Sequence, residues 1–197
     1  MSTKTATTPS LPVSTKEVEI PQLPPHLMNL ACQVKHNLQF QHTWNQLTIQ
    51  TQSPLTQHPF IRPLVAGLPP KRIYIHPDEQ TELLKYDSTS NEVIDEAQEF
   101  DKDIVKMSGQ PEMEWVLPTH VEENWSLRSL AHVFDAISTM PPNIDSNALK
   151  DGIAERQVGW QWRGEHRQKR LLMATVHDDS TIVYYIVHDG IVKPRQN

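Results

Sequence analysis

The stretch WQWRGEHRQKR, residues 160–170, gathers four cations (Arg163, Arg167, Lys169, Arg170) and two indoles (Trp160, Trp162) into eleven positions. Cations at this density can neutralise phosphates and indole rings can stack on bases. Trp162, Arg163, Arg167, Lys169 and Arg170 are therefore the RNA-contact candidates of the chain. The same composition also describes a strand or loop with solvent-facing basic residues and Trp rings in a core. Further along, Asp178 and Asp179 form an adjacent carboxylate pair. Such a pair can serve acid–base chemistry or simply lie solvated in a turn. His120, His132 and His188 each lack a second ligand at metal-binding spacing. The sequence contains no Gly-rich phosphate loop, no G-x-S-x-G and no CxxC. Its one cysteine, Cys32, permits no internal disulfide and no thiolate zinc site, and reads as a small buried hydrophobe on a helix.

The elements that would position these residues come from a chain of 197 residues with 16 prolines and 37% hydrophobic content, below the usual globular share. That mixture implies a modest core with disordered stretches. The net charge of −6 is uneven. Residues 87–110 hold seven acids against Lys102 and Lys106, a local net of −5, which leaves about −1 for the rest. Overall acidity therefore does not exclude a nucleic-acid partner. The polar, Pro/Thr-rich N-terminus lacks the apolar core of a signal peptide, and runs such as LLMATV are too short to span a bilayer. A soluble intracellular protein is expected.

Residues 1–24 read as a disordered tail and 25–197 as one domain, interrupted by a disordered acidic insert at about 87–112. Within the domain, Leu27, Leu30, Ala31, Val34 and Leu38 recur at helical spacing after Pro24–Pro25, predicting an amphipathic helix over 25–42. Leu47–Gln50 suits a strand, Val65–Lys71 has turn chemistry, and Arg72–His76 looks like a further strand. Pro77 then opens a short helix through Leu83 and Leu84 with acids in its first turn. Glu114–Leu117 reads as a strand closed by Pro118. Ser126 is placed to cap a helix with Leu127, Leu130, Ala131, Phe134 and Ile137 on one face, ending before Pro141–Pro142. Residues 143–159 are weakly patterned.

The last thirty residues carry the strongest pattern. Leu171–Val176 and Thr181–Val187 are apolar runs separated by His177–Ser180, a hairpin signal. Asp189–Gly190 makes another turn, and Ile191–Val192 fits a final short strand before Pro194. Side chains alternate along a strand, so Thr181, Val183, Tyr185 and Val187 face one way and Ile182, Tyr184 and Ile186 the other. Both sets are largely apolar. An open terminal edge either aggregates or meets a partner, and a strand apolar on both faces calls for cover on both. Ile182, Tyr184, Tyr185 and Ile186 are accordingly interface candidates, with burial inside the monomer as the competing reading. Helices, strands and a closing hairpin together define an α+β class.

The runs DDSTIVYYIVHDGIVKPRQN, RLLMATV and EWVLPTHVEENWSLRSLAHVFDAI, with RIYIHPDEQTELLK upstream, resemble the smallest, non-catalytic subunit of the eukaryotic tRNA-splicing endonuclease in its fungal form. The likeness spans about 25–86 and 113–197. It implies a tRNA-intron endonuclease-like α+β domain with a mixed or antiparallel sheet, within a tetramer of two catalytic and two structural subunits. That enzyme leaves a 2′,3′-cyclic phosphate and a 5′-hydroxyl on precursor tRNA without metal. The likeness further implies edge-to-edge pairing with a catalytic subunit, which it suggests is the one that cuts the 3′ splice site. It also implies that an acidic loop at His177–Ser180, carrying Asp178 and Asp179, docks into a neighbouring catalytic subunit. The likeness also implies a nuclear location, with the cytosolic face of the outer mitochondrial membrane as the alternative in some yeasts.

Catalytic members of that family use a Tyr–His–Lys triad, supplying a base, an acid and a cation for attack by the 2′-hydroxyl. Lys169 stands in a fitting place before LLMATV. However, no tyrosine lies between Tyr86 and Tyr184, and His166 is only three residues from Lys169, whereas the family's histidine lies well upstream. The expectation is a structural subunit with no catalytic residue, metal or cofactor of its own. Its rivals are a stand-alone RNA-binding module using Trp160–Arg170 and a degenerate nuclease acting through His166 and Lys169.

Overall fold

The computed structural model describes residues 23–90, 110–142 and 159–192. The expected tail at 1–24, apart from its last two residues, lies outside them, as do most of the acidic insert and residues 143–158. The elements run α1 (Pro25–Phe40), β1 (Asn45–Gln52), β2 (Pro59–Leu68), α2 (Pro77–Ser90), β3 (Glu114–His120), α3 (Leu127–Ala136), β4 (Arg170–Val176) and β5 (Ile182–His188). Two short 3-10 turns, Trp160–Trp162 and Gly164–His166, precede β4. The strands form one mixed sheet in the order β1-β2-β3-β4-β5. Only β3 and β4 pair in parallel, and α3 lies on the crossover between them.

A helix lies against each face of the sheet, which explains why the central strands read as continuous apolar runs rather than alternating ones. On the α1 side, Ala31, Val34 and Leu38 pack with Trp44, Val65, Val116, Leu172, Ala174 and Val176. On the α3 side, Val133, Phe134 and Ile137 pack with Phe60, Leu64, Ala66, Trp115, Leu117 and Leu171. The pleat sorts neighbours to opposite cores, as with Trp115 and Val116 on β3 or Leu171 and Leu172 on β4. Pro24 and Pro25 begin α1, and the Ser126 hydroxyl accepts the Ser129 N–H at 3.1 Å to cap α3.

Several expectations are corrected. Val65–Leu68 closes β2 instead of turning, with Val65, Ala66 and Gly67 paired to Val116, Trp115 and Glu114. Gly67 marks close packing, because a Cβ there would sit 2.5 Å from Leu47 Cδ2. Arg72–His76 joins no strand: Arg72 turns to Glu79 and Ile73 packs toward the α1 core, so its alternation is satisfied without a ladder. α2 continues to Ser90, beyond the expected start of the insert. β3 runs through Pro118 to His120 in register with β4. Extending the Val65↔Val116 register by two residues sets Pro63 opposite Pro118, and the β2–β3 ladder ends just before that pair. Two residues without N–H donors face each other there, so each strand loses the other as a partner while keeping its outer neighbour.

The apolar face of α3 is rotated from the expected one. Val133, Phe134 and Ile137 are buried, Leu127 and Ala131 are exposed, and Leu130 only packs at the edge of the core. Ile191–Val192 forms no strand. Cys32 is exposed, because Ala31 and Val34 take the inward positions of α1.

Candidate subunit interface

β5 is an edge strand held by β4 in an unbroken antiparallel register from Arg170↔His188 to Val176↔Ile182. The opposite edge, β1, carries register shifts between Asn45 and Thr48 and again between Gln50 and Gln52. Bulges twist an edge away from further pairing, whereas a regular strand leaves its outer row of N–H and C=O groups available.

Along β5 the four interface candidates separate. Ile182 and Tyr184 pack against the α1-side core. The Tyr184 hydroxyl donates to Asn37 Oδ1 at 2.6 Å, and its ring meets His42 edge-on. Burial holds that phenol well above its ordinary pKa. For these two, cover comes from within the monomer. Tyr185 and Ile186 are 54% and 38% exposed, and they lie on the α3 side and the α1 side respectively. A strand apolar on both exposed flanks is suited to a neighbour that continues the sheet and brings cover to each side.

The loop between β4 and β5 is a tight construction. His177 N–H donates to Thr181 O and Ser180 N–H to His177 O, both at 2.9 Å, with Ser180 at a φ of 68°. Asp179 Oδ1 accepts the Thr181 N–H at 2.9 Å, and that hydrogen bond holds the exposed carboxyl below its usual pKa. Asp178 projects beside His120, whose Nε2 lies 3.3 Å from Asp178 Oδ1.

The basic cluster turns inward, contrary to a solvent-facing RNA surface. Arg167 and Arg170 are buried against Glu114, with Arg167 Nη2 to Glu114 Oε2 at 2.9 Å and Arg170 Nη2 to Glu114 Oε1 at 2.5 Å. Both also reach Glu112, a residue expected to lie in the disordered insert. Arg163 and Arg72 converge on the fully buried Glu79 at 2.9 and 2.5 Å. Burial pushes the Glu112 carboxyl up, but the Arg167 charge, the Gly164 N–H and Arg72 together hold it below the ordinary range. Charges in such a setting are neutralised by their partners and are not presented to phosphates. Lys169 Nζ donates to Phe134 O at 2.9 Å, placing a cation at the C-terminal turn of α3. Trp162 stacks on His76 with rings 5.5 Å apart and 7° from parallel, while His166 meets Trp160 edge-on.

This network is not legible in the sequence, where the cations of 160–170 have no carboxylate partners at local spacing beyond Glu165. The only available signal was Glu112 and Glu114 flanking a strand start, an arrangement that also suits solvent. Among the described residues, no group of three His, Cys, Asp or Glu side chains is placed to hold a metal ion. No described helix is long and apolar enough to cross a membrane.

Among the described residues, the α+β sheet is covered on both faces, has an irregular strand at one edge and leaves a regular strand at the other. The family model of the Sen15 protein matches residues 33–197, and the chain belongs to that family. It is similar to tsp-1 of Neurospora crassa, named a probable tRNA-splicing endonuclease subunit, with 45% identity over 174 residues, 87% of this chain and 67% of the relative. It is also similar to a probable tRNA-splicing endonuclease subunit, sen15, of Schizosaccharomyces pombe. That match has 30% identity over 95 residues, 47% of this chain and 57% of the relative.

Proposed function

We propose that this chain is a non-catalytic, structural subunit of the tRNA-splicing endonuclease, supporting a catalytic partner in the excision of introns from precursor tRNA. The relatives' names support the assignment to that enzyme. The observation that carries the structural role is the uninterrupted β5 edge with Tyr185 and Ile186 exposed on its two sides. A catalytic partner adds a strand there, gaining main-chain hydrogen bonds along β5 and side-chain contacts on each flank. The loop bearing Asp178 and Asp179 docks into a neighbouring catalytic subunit. Holding the partner in one orientation keeps the splice site aligned for in-line attack. The absence of catalysis is supported by the placement of the groups that would serve it. Lys169 is engaged with Phe134 O, and the His166 ring meets Trp160 edge-on.

The test is co-expression with a candidate catalytic subunit, followed by size exclusion. The full chain is expected to form a stable complex, and a chain carrying Tyr185→Asp and Ile186→Asp is expected to elute apart from the partner. Equal complex formation by both would remove the edge-pairing reading. Separately, the purified chain alone is expected to leave precursor tRNA intact, and a 2′,3′-cyclic phosphate product would overturn the non-catalytic assignment.

A further inference from the structure

Charge is divided unevenly along this chain. All 24 acids lie outside residues 20–77, a stretch that holds α1, β1 and β2 and contains no Asp or Glu. Its cations are Lys35, Arg62, Lys71 and Arg72, joined by five histidines. Arg62 and Arg72 are taken up by Glu123 and Glu79, so Lys35 and Lys71 carry the positive charge of the stretch toward solvent.

Within this acid-free region the outer side of α1 ends in an exposed aromatic. Ala31, Val34 and Leu38 face the sheet, so Cys32, His36 and Phe40, four residues apart, run along the outer surface of the helix. Phe40 is 65% exposed, and the His36 ring lies against it with centroids 4.5 Å apart and a tilt of 46°. Asn37 Nδ2 donates to Gln41 Oε1 at 2.8 Å on the same turn, and Lys35 lies one turn before Gln39.

The chain that follows Phe40 is fixed, not slack. Thr43 and Gln46 hold φ angles of 55° and 52°, in the left-handed region, where a β-branched residue such as Thr is a genuine outlier. The buried Trp44 between them anchors the turn, with its N–H donating to Leu38 O at 3.0 Å and its ring over Gly67. His42 is held edge-on to Tyr184. Strain of this kind persists only where the surroundings over-determine it, and it clusters where side chains are held ready for a ligand.

We propose that Phe40 and His36 form a stacking platform for an unpaired base of RNA, with Lys35 taking an adjacent phosphate. The inference rests on the splicing-endonuclease reading above for the identity of that RNA. An exposed aromatic face accepts any base by stacking. A surface without carboxylates lets the phosphate chain approach without like-charge repulsion. Phe40 closes α1, and the negative end of the helix dipole there disfavours a phosphate but not a neutral base. That polarity directs the backbone toward Lys35. A protein partner drawn to Phe40 by apolar area alone would gain nothing from the missing acids.

The experiment measures two dissociation constants. One is that of the assembled enzyme for precursor tRNA blocked against cleavage by 2′-O-methylation at the splice sites. The other is that of the free full chain for a short single-stranded oligoribonucleotide. Phe40→Ala and Phe40→Leu are each expected to weaken both about tenfold, and Phe40→Trp to match the wild type. Lys35→Ala is expected to lower the salt slope by about 1. Co-elution of the subunits and thermal melting of each free Phe40 variant should stay at wild type, because the side chain is exposed. Wild-type RNA affinity for Phe40→Ala would overturn the platform. So would a loss that Phe40→Leu restores, or one seen only where the subunits no longer co-elute, since either outcome makes Phe40 a protein contact. If the wild-type chain enters no complex, the subunit reading fails, and the free-chain measurement decides the platform alone: RNA binding there that ignores Phe40, or no binding, would overturn it.

Discussion

Tyr185 and Ile186 are adjacent on β5 yet open to opposite sides of the sheet, one above the α3 layer and the other above the α1 layer. Contact with one face alone can cover only one of them. Ile186→Asp or Tyr185→Asp is expected to weaken the complex by about 2 kcal/mol or more, roughly thirtyfold. Because both side chains are exposed, the free chain should change by only about 0.5 kcal/mol. Isothermal titration and thermal melting of the same samples separate the two effects. Tyr184→Asp is expected to fail differently, lowering the melting temperature of the free chain, because it breaks the hydrogen bond to Asn37 and introduces a charge beneath α1.

Glu114 joins two buried guanidiniums, those of Arg167 and Arg170. Replacing it with Gln leaves both without their main counter-charge, and removing one partner of a buried pair costs about 3–5 kcal/mol. A fall in melting temperature on the order of 10 °C is expected, read by circular dichroism. An unchanged melting temperature would mean that the cluster contributes little to folding.

Charge reversal at Arg167 or Arg170 is expected to act through folding. Each substitution sets a third carboxylate against Glu112 and Glu114. Loss of precursor-tRNA binding by Arg167→Glu should therefore coincide with loss of the cooperative melt. A variant that melts normally but loses RNA affinity would restore the phosphate-contact reading of the cluster.

His188 gives the chain a pH response. Burial disfavours its charged form, and the charges of Arg170, His76 and Arg167 act in the same direction, so its folded pKa lies below the ordinary histidine value of about 6.5. As pH falls through about 6.5 the unfolded chain takes up the proton first, so stability falls with pH in that range. This contribution is fully present above the unfolded pKa and is lost as pH drops through the folded pKa. Glu112 and Glu123 have lowered carboxyl pKa values and lose their contribution only further into acid, below about 4.5. A pH series of denaturation midpoints should slope downward below about 6.5, and His188→Gln should flatten that part of the curve.

The legible part of the fold was the part written in short-range periodicity. The α1 stripe of Ala31, Val34 and Leu38 and the β4–β5 hairpin around His177–Ser180 both came from spacing alone. What stayed hidden depended on contacts between distant segments. Pro118 reads as a strand end until β4 is seen to pair beside it, and Gly67 reads as a turn until Leu47 and Trp44 pack over it. At the site, the alternation of β5 was readable, but which of its residues α1 covers was not, because Asn37 lies 147 positions from Tyr184. The arginines of 160–170 mislead for the same reason: their partners sit 53 to 84 residues upstream, and charge on a sequence carries no record of burial.

The two register shifts in β1 set a limit on assembly. A sheet extended at β5 meets an irregular strand at its far side, where a further strand would find interrupted hydrogen-bond spacing. Edge addition can therefore proceed once and then stop. Under the proposed pairing at β5, one strand partner per chain is therefore expected, and the same irregularity works against copies of the protein stacking into an open-ended fibre.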